Sequence, residues 1–194
     1  QLKGRGLAQL LLCRTTALRQ LGRTNEAAVY LEQFLAEQGT HNEVLTAAAS
    51  LRAANGQFQQ ELELRETLLQ RDPDNAELLA RKGLAELRLG RNEPAIATLT
   101  RALTLAPGDA NTRLLRAVAY LSAGQLDASK TDYQELLRKP DRSQSALFGL
   151  GGIAWREHDT NAVIQYYQQF LSNSAALSPQ FNLATERLRQ LSDE

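Results

Sequence analysis

Residues 76–109 read AELLARKGLAELRLGRNEPAIATLTRALTLAPGD, with apolar or small side chains at helical spacing on both sides of LGRN. A spacing of three and four residues places such side chains on one face of a helix. Gly90 lies in the break between the two patterns, and Pro107-Gly108-Asp109 closes the second one. The segment therefore predicts two amphipathic helices joined by a short turn.

The turn glycine recurs at a fixed interval along the chain. Gly22, Gly56, Gly90 and Gly124 are each 34 residues apart, and His158 takes the fifth place. A constant period of this length is the sequence signature of a repeat array in which each unit is one helical hairpin. We therefore expect an all-α fold of successive hairpins.

The period divides the chain into five repeats. A small or apolar residue returns at equivalent places in each of them, and residues 1–7 are assigned to the tail of a preceding repeat. The predicted repeats span 8–41, 42–75, 76–109, 110–143 and 144–177.

A final helix is predicted at residues 178–191. It begins with Ser178-Pro179, which is typical of a helix entrance, and carries Phe181, Leu188 and Leu191 on one side. A polar outer face is expected for a helix that caps an open stack. The predicted outer face consists of Gln180, Glu186, Arg187 and Gln190.

The composition is that of an ordinary folded protein. Of the 194 residues 43% are hydrophobic, and 22 basic and 22 acidic side chains give zero net charge. Zero net charge argues against a protein whose main role is to bind the phosphates of nucleic acids or membranes. The single cysteine, Cys13, excludes an internal disulfide and a thiolate metal cluster.

The apolar stretch at 7–13 is too short to cross a bilayer. The sequence contains no Met, which indicates that it is a fragment of a longer protein.

The repeats resemble the tetratricopeptide repeat family over nearly the whole chain. The third repeat has small residues where the family places them to let two helices approach closely, at Gly83, Gly90, Ala95 and Ala102, and it has the family's Pro107. The resemblance implies one array in which antiparallel helix pairs stack into a right-handed superhelical solenoid.

Charged residues occupy several places where the family has small or apolar side chains. Glu61 and Arg65 replace an alanine and an aromatic residue, and their spacing predicts a pair along one helix. Arg52 and Glu86 hold equivalent places in successive repeats, and we expect them to pair because an unpartnered charge at the seam is costly. We favour such structural roles. The alternative is a basic patch for an acidic partner, formed by Arg81, Arg88, Arg113 and Arg116.

In this family the first helix of each repeat lines a concave groove, so the resemblance implies which side chains face a partner. The implied wall becomes apolar towards the C-terminus. It suits an amphipathic helix or an extended segment, with Phe148 and Trp155 as aromatic anchors. The alternative is that the final helix or further repeats cover part of this wall. The predicted partner-binding residues are Arg81, Leu84, Leu87, Arg88, Leu114, Leu115, Val118, Leu121, Phe148, Trp155 and Arg156.

Some members of the family bind the C-terminal carboxylate of a chaperone with lysine, asparagine and arginine at set groove places. The corresponding residues here are Leu12, Thr16, Ala47, Glu77 and Arg81. Because only Arg81 matches, the resemblance does not imply recognition of chaperone tails.

Catalytic and cofactor sites find little support in the sequence. His41 and His158 lie in loops of unrelated repeats, which does not suit a metal site or a charge-relay set. Cys13 has no activating neighbour apart from Arg14. The GLGG run at 149–152 lacks the Lys-Ser/Thr of a phosphate loop, and its glycines favour tight helix packing. We predict no enzyme activity, cofactor or metal, and the lack of a continuous basic stripe predicts no nucleic-acid partner.

Two functions are consistent with these features. The first is a non-catalytic scaffold that binds a partner peptide or protein in the groove. The alternative is a scaffold segment of a larger bacterial envelope protein, in polysaccharide export or outer-membrane assembly, that docks or regulates an enzyme. An excess of arginine over lysine favours a bacterial source, and we favour the periplasm over the cytoplasm. Membrane insertion of this segment is not expected, and self-association through the ends of the stack stays open.

Overall fold

The structure, a computed structural model, describes residues 2–38, 41–172 and 178–192. These residues form eleven α-helices and no strand, which confirms the all-α prediction. The helices are α1 (Leu2–Gln20), α2 (Thr24–Gln38), α3 (Asn42–Ala54), α4 (Phe58–Arg71), α5 (Ala76–Arg88), α6 (Asn92–Leu105), α7 (Ala110–Ser122), α8 (Leu126–Leu137), α9 (Ser143–Arg156), α10 (Thr160–Ser172) and α11 (Pro179–Ser192).

Each predicted repeat contains two helices, and α11 is the predicted final helix. The start of the first repeat differs from the prediction, because α1 runs without a break from Leu2 to Gln20. Residues 2–7 therefore belong to the first helix of repeat one and not to the tail of an earlier repeat. The helix continues through Gly4 and Gly6, so these two glycines do not end a helix here although glycine often marks a helix end.

The hairpin turns share one backbone conformation. Gly22, Gly56, Gly90 and Gly124 have φ values of 70° to 77°, and His158 has a φ of 58°. This left-handed conformation ends a helix, and glycine adopts it without the steric cost of a Cβ atom. The turn positions predicted from the 34-residue period are therefore found at all five places.

The third turn shows how the helix end is closed. The Gly90 N–H donates to the Leu87 carbonyl and the Arg91 N–H donates to the Glu86 carbonyl, both at 2.9 Å. These two bonds form a Schellman motif, which satisfies carbonyls that the helix leaves without a partner.

The chain divides into two compact units, Gln1–Pro94 and Ala95–Glu194, and the division falls within α6. In unit one, Ala27, Leu31 and Val44 are buried in a cluster that joins α1, α2 and α3. In unit two, one cluster joins α7, α8 and α9, and a second joins α9, α10 and α11. The second cluster fixes α11 against α9 and α10 through the buried Ala184.

Charged residues inside unit one form pairs, but one of the predicted pairs is wrong. Arg65 Nε donates to Glu61 Oε1 at 2.8 Å, and both side chains are buried, as predicted. Arg52 instead pairs with Glu32 of the preceding repeat. Lys82 Nζ lies 3.7 Å from Glu86 one helical turn away. The long, flexible side chain of an arginine can reach a partner in either neighbouring repeat, so equivalent places in the repeat do not determine its partner.

Candidate functional site

Unit two contains an elongated apolar cavity of about 740 Å³, which we call the trough. Helix α9 forms its floor, α7 one wall and α11 the opposite wall. Tyr133 of α8 and Phe170 of α10 complete the lining between the helices. The lining residues are Leu114, Val118 and Leu121 of α7; Gln144, Ser145, Phe148, Gly149, Gly152 and Arg156 of α9; Ser178, Gln180, Leu183 and Arg187 of α11; and Tyr133 and Phe170.

The walls of the trough are apolar and partly open to solvent. Val118 is 39% exposed and Leu183 on the opposite wall is 42% exposed. Between them, Gly152 leaves the backbone of α9 bare, because a Cβ atom added there would meet no atom nearer than 3.9 Å. Phe148 lies one turn before Gly152, with its ring centroid 5.3 Å from that of Phe170. The trough is thus a recess that could bury apolar side chains of a partner.

The structure places five of the predicted partner-binding residues together in the trough: Leu114, Val118, Leu121, Phe148 and Arg156. Because four of the five are apolar, the apolar part of the predicted groove is a physical surface of unit two. Their role in binding a partner stays a prediction.

Two predicted residues of unit two lie elsewhere. Leu115 is half-buried and does not line the trough. Trp155 packs against the cluster of α9, α10 and α11, and the guanidinium carbon of Arg187 lies 5.2 Å from its ring centroid. Trp155 is therefore partly covered by the final helix, as in the alternative that the sequence left open for part of the wall. Among the described residues, α11 lines the rest of the trough as a wall and does not fill it.

Arg156 is held at the end of α7. Its Nη1 donates to the Leu121 carbonyl at 2.6 Å, one of the carbonyls that the helix end leaves without an intrahelical partner. Arg187 lies on the opposite wall, where its Nη1 donates to the Tyr167 hydroxyl. Burial raises the pKa of Tyr167, and the hydrogen bond from Arg187 opposes that shift. The phenol is therefore neutral near pH 7, so it solvates the guanidinium without cancelling its charge.

The charged lining of the trough has one sign. Among the residues that the structure describes, Arg156 and Arg187 line it, and no aspartate or glutamate does. The end of the trough near the start of α9 is neutral, with Gln144, Ser145 and Gln180. An apolar segment that carries negative charge near the arginines is electrostatically complementary to this surface.

The predicted basic patch is not a free surface on α7. Arg116 makes two hydrogen bonds of 2.8 Å to the carboxylate of Asp132, and Arg113 Nη1 lies 3.4 Å from the same group. Asp132 is only 2% exposed. Its hydrogen bonds raise the pKa of Arg116 above the usual value. These two arginines neutralise a buried acid within unit two, which is the structural role that the sequence favoured.

The remaining predicted residues lie on α5 in unit one. Leu84 and Leu87 are half-buried, and the guanidinium carbon of Arg88 lies 5.0 Å from the centroid of the Phe58 ring. Arg81 lines a smaller, polar cavity of about 350 Å³ and lies 3.8 Å from Glu77. Residues from α3, α4 and α5 form that cavity, and acidic Asp72 and Glu77 also line it.

No group of three or more His, Cys, Asp or Glu side chains in the described part of the chain is arranged to hold a metal ion. None of the described helices combines the length and the apolar character needed to cross a bilayer.

The family model described as tetratricopeptide repeat matches residues 46–110 and 114–179, more than half of the chain. The chain belongs to the tetratricopeptide repeat family. Proteins of this family are interaction scaffolds that are generally non-catalytic. No curated protein sequence matches this tetratricopeptide array.

Solved structures of other tetratricopeptide proteins have the same fold. MamA from Desulfovibrio magneticus RS-1, residues 41 to the end, is 21% identical with a TM-score of 0.78, covering 85% of this chain and 93% of its own. A tetratricopeptide repeat protein from Parabacteroides merdae is 19% identical with a TM-score of 0.80, and the match covers 96% of this chain and 73% of that protein. YrrB, described as having an unusual peptide-binding site, is 14% identical with a TM-score of 0.74, and the match covers 92% of this chain and 90% of YrrB. At these identities the likeness establishes the solenoid fold of antiparallel helix pairs and nothing finer.

Sequence reasoning missed the wall that α11 contributes to this tetratricopeptide trough. Gln180 and Arg187 were assigned to its polar outer face, yet both line the trough together with Leu183. Equivalent groove places on α7 and α9 are 34 residues apart, but those on α9 and α11 are 35 apart. The alignment of α9 with α11 therefore needs a shift of 35 residues and not 34. With that shift, the groove residues Ser145, Phe148 and Gly152 correspond to Gln180, Leu183 and Arg187, and the wall can be identified from the sequence.

Proposed function

We propose that this protein is a non-catalytic scaffold that binds an apolar segment of a partner protein in the trough of unit two. The observation that carries this proposal is the pair of exposed apolar walls that face each other across the bare backbone at Gly152. Because Val118 is 39% exposed and Leu183 is 42% exposed, a short helix or an extended chain could contact both walls.

The trough offers enough apolar surface for specific binding. Burying one Leu- or Phe-sized side chain contributes roughly 1.5–3 kcal/mol. Two such side chains, placed beside Phe148 and at Gly152, would exceed the energy of scattered surface contacts. Clusters of this kind around aromatic and aliphatic anchors carry most of the binding energy in known interfaces.

A peptide-like occupant is favoured over a small polar ligand. Aliphatic and aromatic side chains supply most of the exposed surface of the lining, and the polar groups are fewer and belong mainly to α9 and α11. YrrB, which has the same fold, has a peptide-binding site by its description. The envelope role and the periplasmic location stay predictions.

A matched pair of variants tests the proposal. Leu183 lines the trough, whereas Leu105 is the last residue of α6 and does not line it, and each is 42% exposed. The protein is immobilised and used to select from a phage library of short random peptides. We expect wild type and Leu105→Glu to enrich the same apolar sequences and Leu183→Glu to lose them, since the substitution replaces the apolar side chain of this wall by a charged one that cannot pack against apolar residues of the occupant.

The outcome that contradicts the proposal is equal enrichment by wild type and Leu183→Glu, or no enrichment by wild type. Circular dichroism and urea unfolding of both variants establish that they are folded. Because the two substitutions are chemically identical and equally exposed, a general effect of the added charge would appear in both.

A further inference from the structure

We infer that Arg187 is a specificity-determining residue of the trough, and that it selects partner segments with an aspartate or glutamate side chain among their apolar residues. This inference rests on the proposed function, since it names the chemistry of the segment that the trough would bind. The evidence is the setting of one guanidinium group on α11.

The Arg187 guanidinium is held in place by neighbours that do not neutralise it. It donates to the neutral Tyr167 hydroxyl, and its carbon lies 5.2 Å from the centroid of the Trp155 ring and 6.0 Å from that of Tyr167. Cation–π contacts orient a guanidinium while leaving its charge intact. A cation fixed in this way loses little conformational entropy when it binds an anion.

Arg187 differs from the other sheltered cations of the protein. Among residues whose side chains the structure describes, every other buried or half-buried lysine or arginine lies within 4.0 Å of a carboxylate oxygen. Arg187 has no such partner among them. The pairs are Arg52 with Glu32, Arg65 with Glu61, Lys82 with Glu66, Arg113 and Arg116 with Asp132, Lys130 with Glu157, and Arg142 with Asp141.

The guanidinium is within reach of a ligand in the trough. A Cβ atom placed on Gly152 would lie 3.9 Å from Arg187 Nη1, in ordinary contact, so no side chain stands between the floor and the charge. A larger side chain at position 152 would occupy that space. Glycine at this position therefore gives the occupant access to Arg187, a role distinct from that of Gly149, which lies under the Tyr133 ring.

The position of Arg187 favours an acidic side chain within the segment over a terminal carboxylate. Apolar residues of the same lining belong to both walls, with Leu183 one turn earlier on α11 and Leu121 near the end of α7. A chain that covers both of these residues meets the arginine along its length and not only at its end. An Arg–carboxylate pair in such a partly desolvated site is shorter and stronger than an exposed pair, and it favours segments that carry the acid over segments that lack it.

The test uses the phage library with each peptide fused through its C-terminus, so that no terminal carboxylate is presented. Selections are run on wild type, Arg187→Gln and Arg189→Gln. Arg189 is the matched control, because it lies on the same helix but is exposed, is paired with Glu186 and does not line the trough. We expect wild type and Arg189→Gln to enrich an acidic residue at a fixed distance from apolar ones, and Arg187→Gln to enrich the apolar residues alone.

One selected peptide, synthesised with an amidated C-terminus, then gives the size of the effect. Replacing its acidic residue by the corresponding amide should weaken binding to wild type about tenfold and binding to Arg187→Gln by less than about twofold. The inference is overturned if the selected peptides lack an acid, or if Arg187→Gln and wild type respond equally to the amide. Either result leaves the proposed function intact when Leu183→Glu still loses the peptides. If wild type itself enriched no peptides, both the inference on Arg187 and the proposed function would be contradicted.

Discussion

The ring of Tyr133 on α8 covers the α carbon of Gly149 on α9. A Cβ atom added to Gly149 would lie 2.3 Å from Tyr133 Cζ and 2.5 Å from Cε1, which is far inside van der Waals contact. Tyr133 is itself buried, so its ring has little room to move. The absence of a side chain at Gly149 therefore determines how closely α8 and α9 approach, and with it the floor of the trough.

Alanine substitutions in one helix test this close approach. We expect Gly149→Ala to lower the free energy of unfolding by about 1–3 kcal/mol, because overpacking outweighs the gain in helix propensity. Gly152→Ala should raise it by up to about 1 kcal/mol, since its Cβ meets nothing nearer than 3.9 Å. Urea unfolding followed by circular dichroism measures both. If both substitutions changed the free energy of unfolding by the same amount, the proposed difference in packing between Gly149 and Gly152 would be refuted.

The glycines and the turns could be predicted from the sequence because backbone geometry constrains them locally. A 34-residue period fixes the hairpins, and each turn needs a left-handed residue at one place, so the helices and Gly90 follow from the pattern. The GLGG run was correctly assigned to tight packing at Gly149 and Gly151, whose added Cβ atoms would meet the rings of Tyr133 and Tyr167.

Side-chain partners and the last helix could not be predicted in the same way. Arg52 reaches Glu32 because several rotamers of a long side chain are open to it. The groove places on α9 and α11 are 35 residues apart, one more than the 34-residue period. Because the period does not contain this extra residue, it does not assign Leu183 and Arg187 to the wall of the trough. That single offset also places Arg187 over Trp155, a residue that the period alone assigns to the open groove.

The buried pair of Glu61 and Arg65 should be replaceable by the family's own residues. Glu61 is 2% exposed, and its Oε2 accepts no hydrogen bond from the described residues. We expect Glu61→Ala alone to lower the free energy of unfolding by about 3 kcal/mol, because it leaves Arg65 buried without its carboxylate. The double variant Glu61→Ala/Arg65→Phe should recover most of this loss in urea unfolding. A double variant as unstable as the single one would show that the ion pair is needed for folding.

The fifth turn has a residue that is strained for its place. His158 has a φ of 58°, where the other four turns have glycine. We expect His158→Gly to raise the free energy of unfolding by about 1 kcal/mol, because it removes the steric cost of a Cβ atom in the left-handed region. His158→Ala, which keeps the Cβ atom, is the control and should give no such gain. If His158→Gly were no more stable than His158→Ala, the left-handed conformation at position 158 would not be strained by its side chain.

Alkaline pH should destabilise unit two through Tyr133. Burial raises the pKa of Tyr133 from the usual 10.0 of a tyrosine to about 12, so the folded protein favours the neutral phenol. The resulting stabilisation is complete below pH 10 and is lost as the pH rises from there through about 12, by about 3 kcal/mol in all. Urea unfolding across that range should show a shallower decline for Tyr133→Phe. Parallel curves for the two proteins would mean that the phenol does not titrate differently on folding.

The most direct test of the trough as a binding site is a nuclear magnetic resonance titration of isotope-labelled protein with one selected peptide. The account predicts that the largest amide shift changes fall on the three facing helices, at Val118, Gly152, Leu183 and Arg187, and that Leu183→Glu abolishes them. Shift changes confined to unit one, or to residues of unit two that do not line the trough, would contradict it.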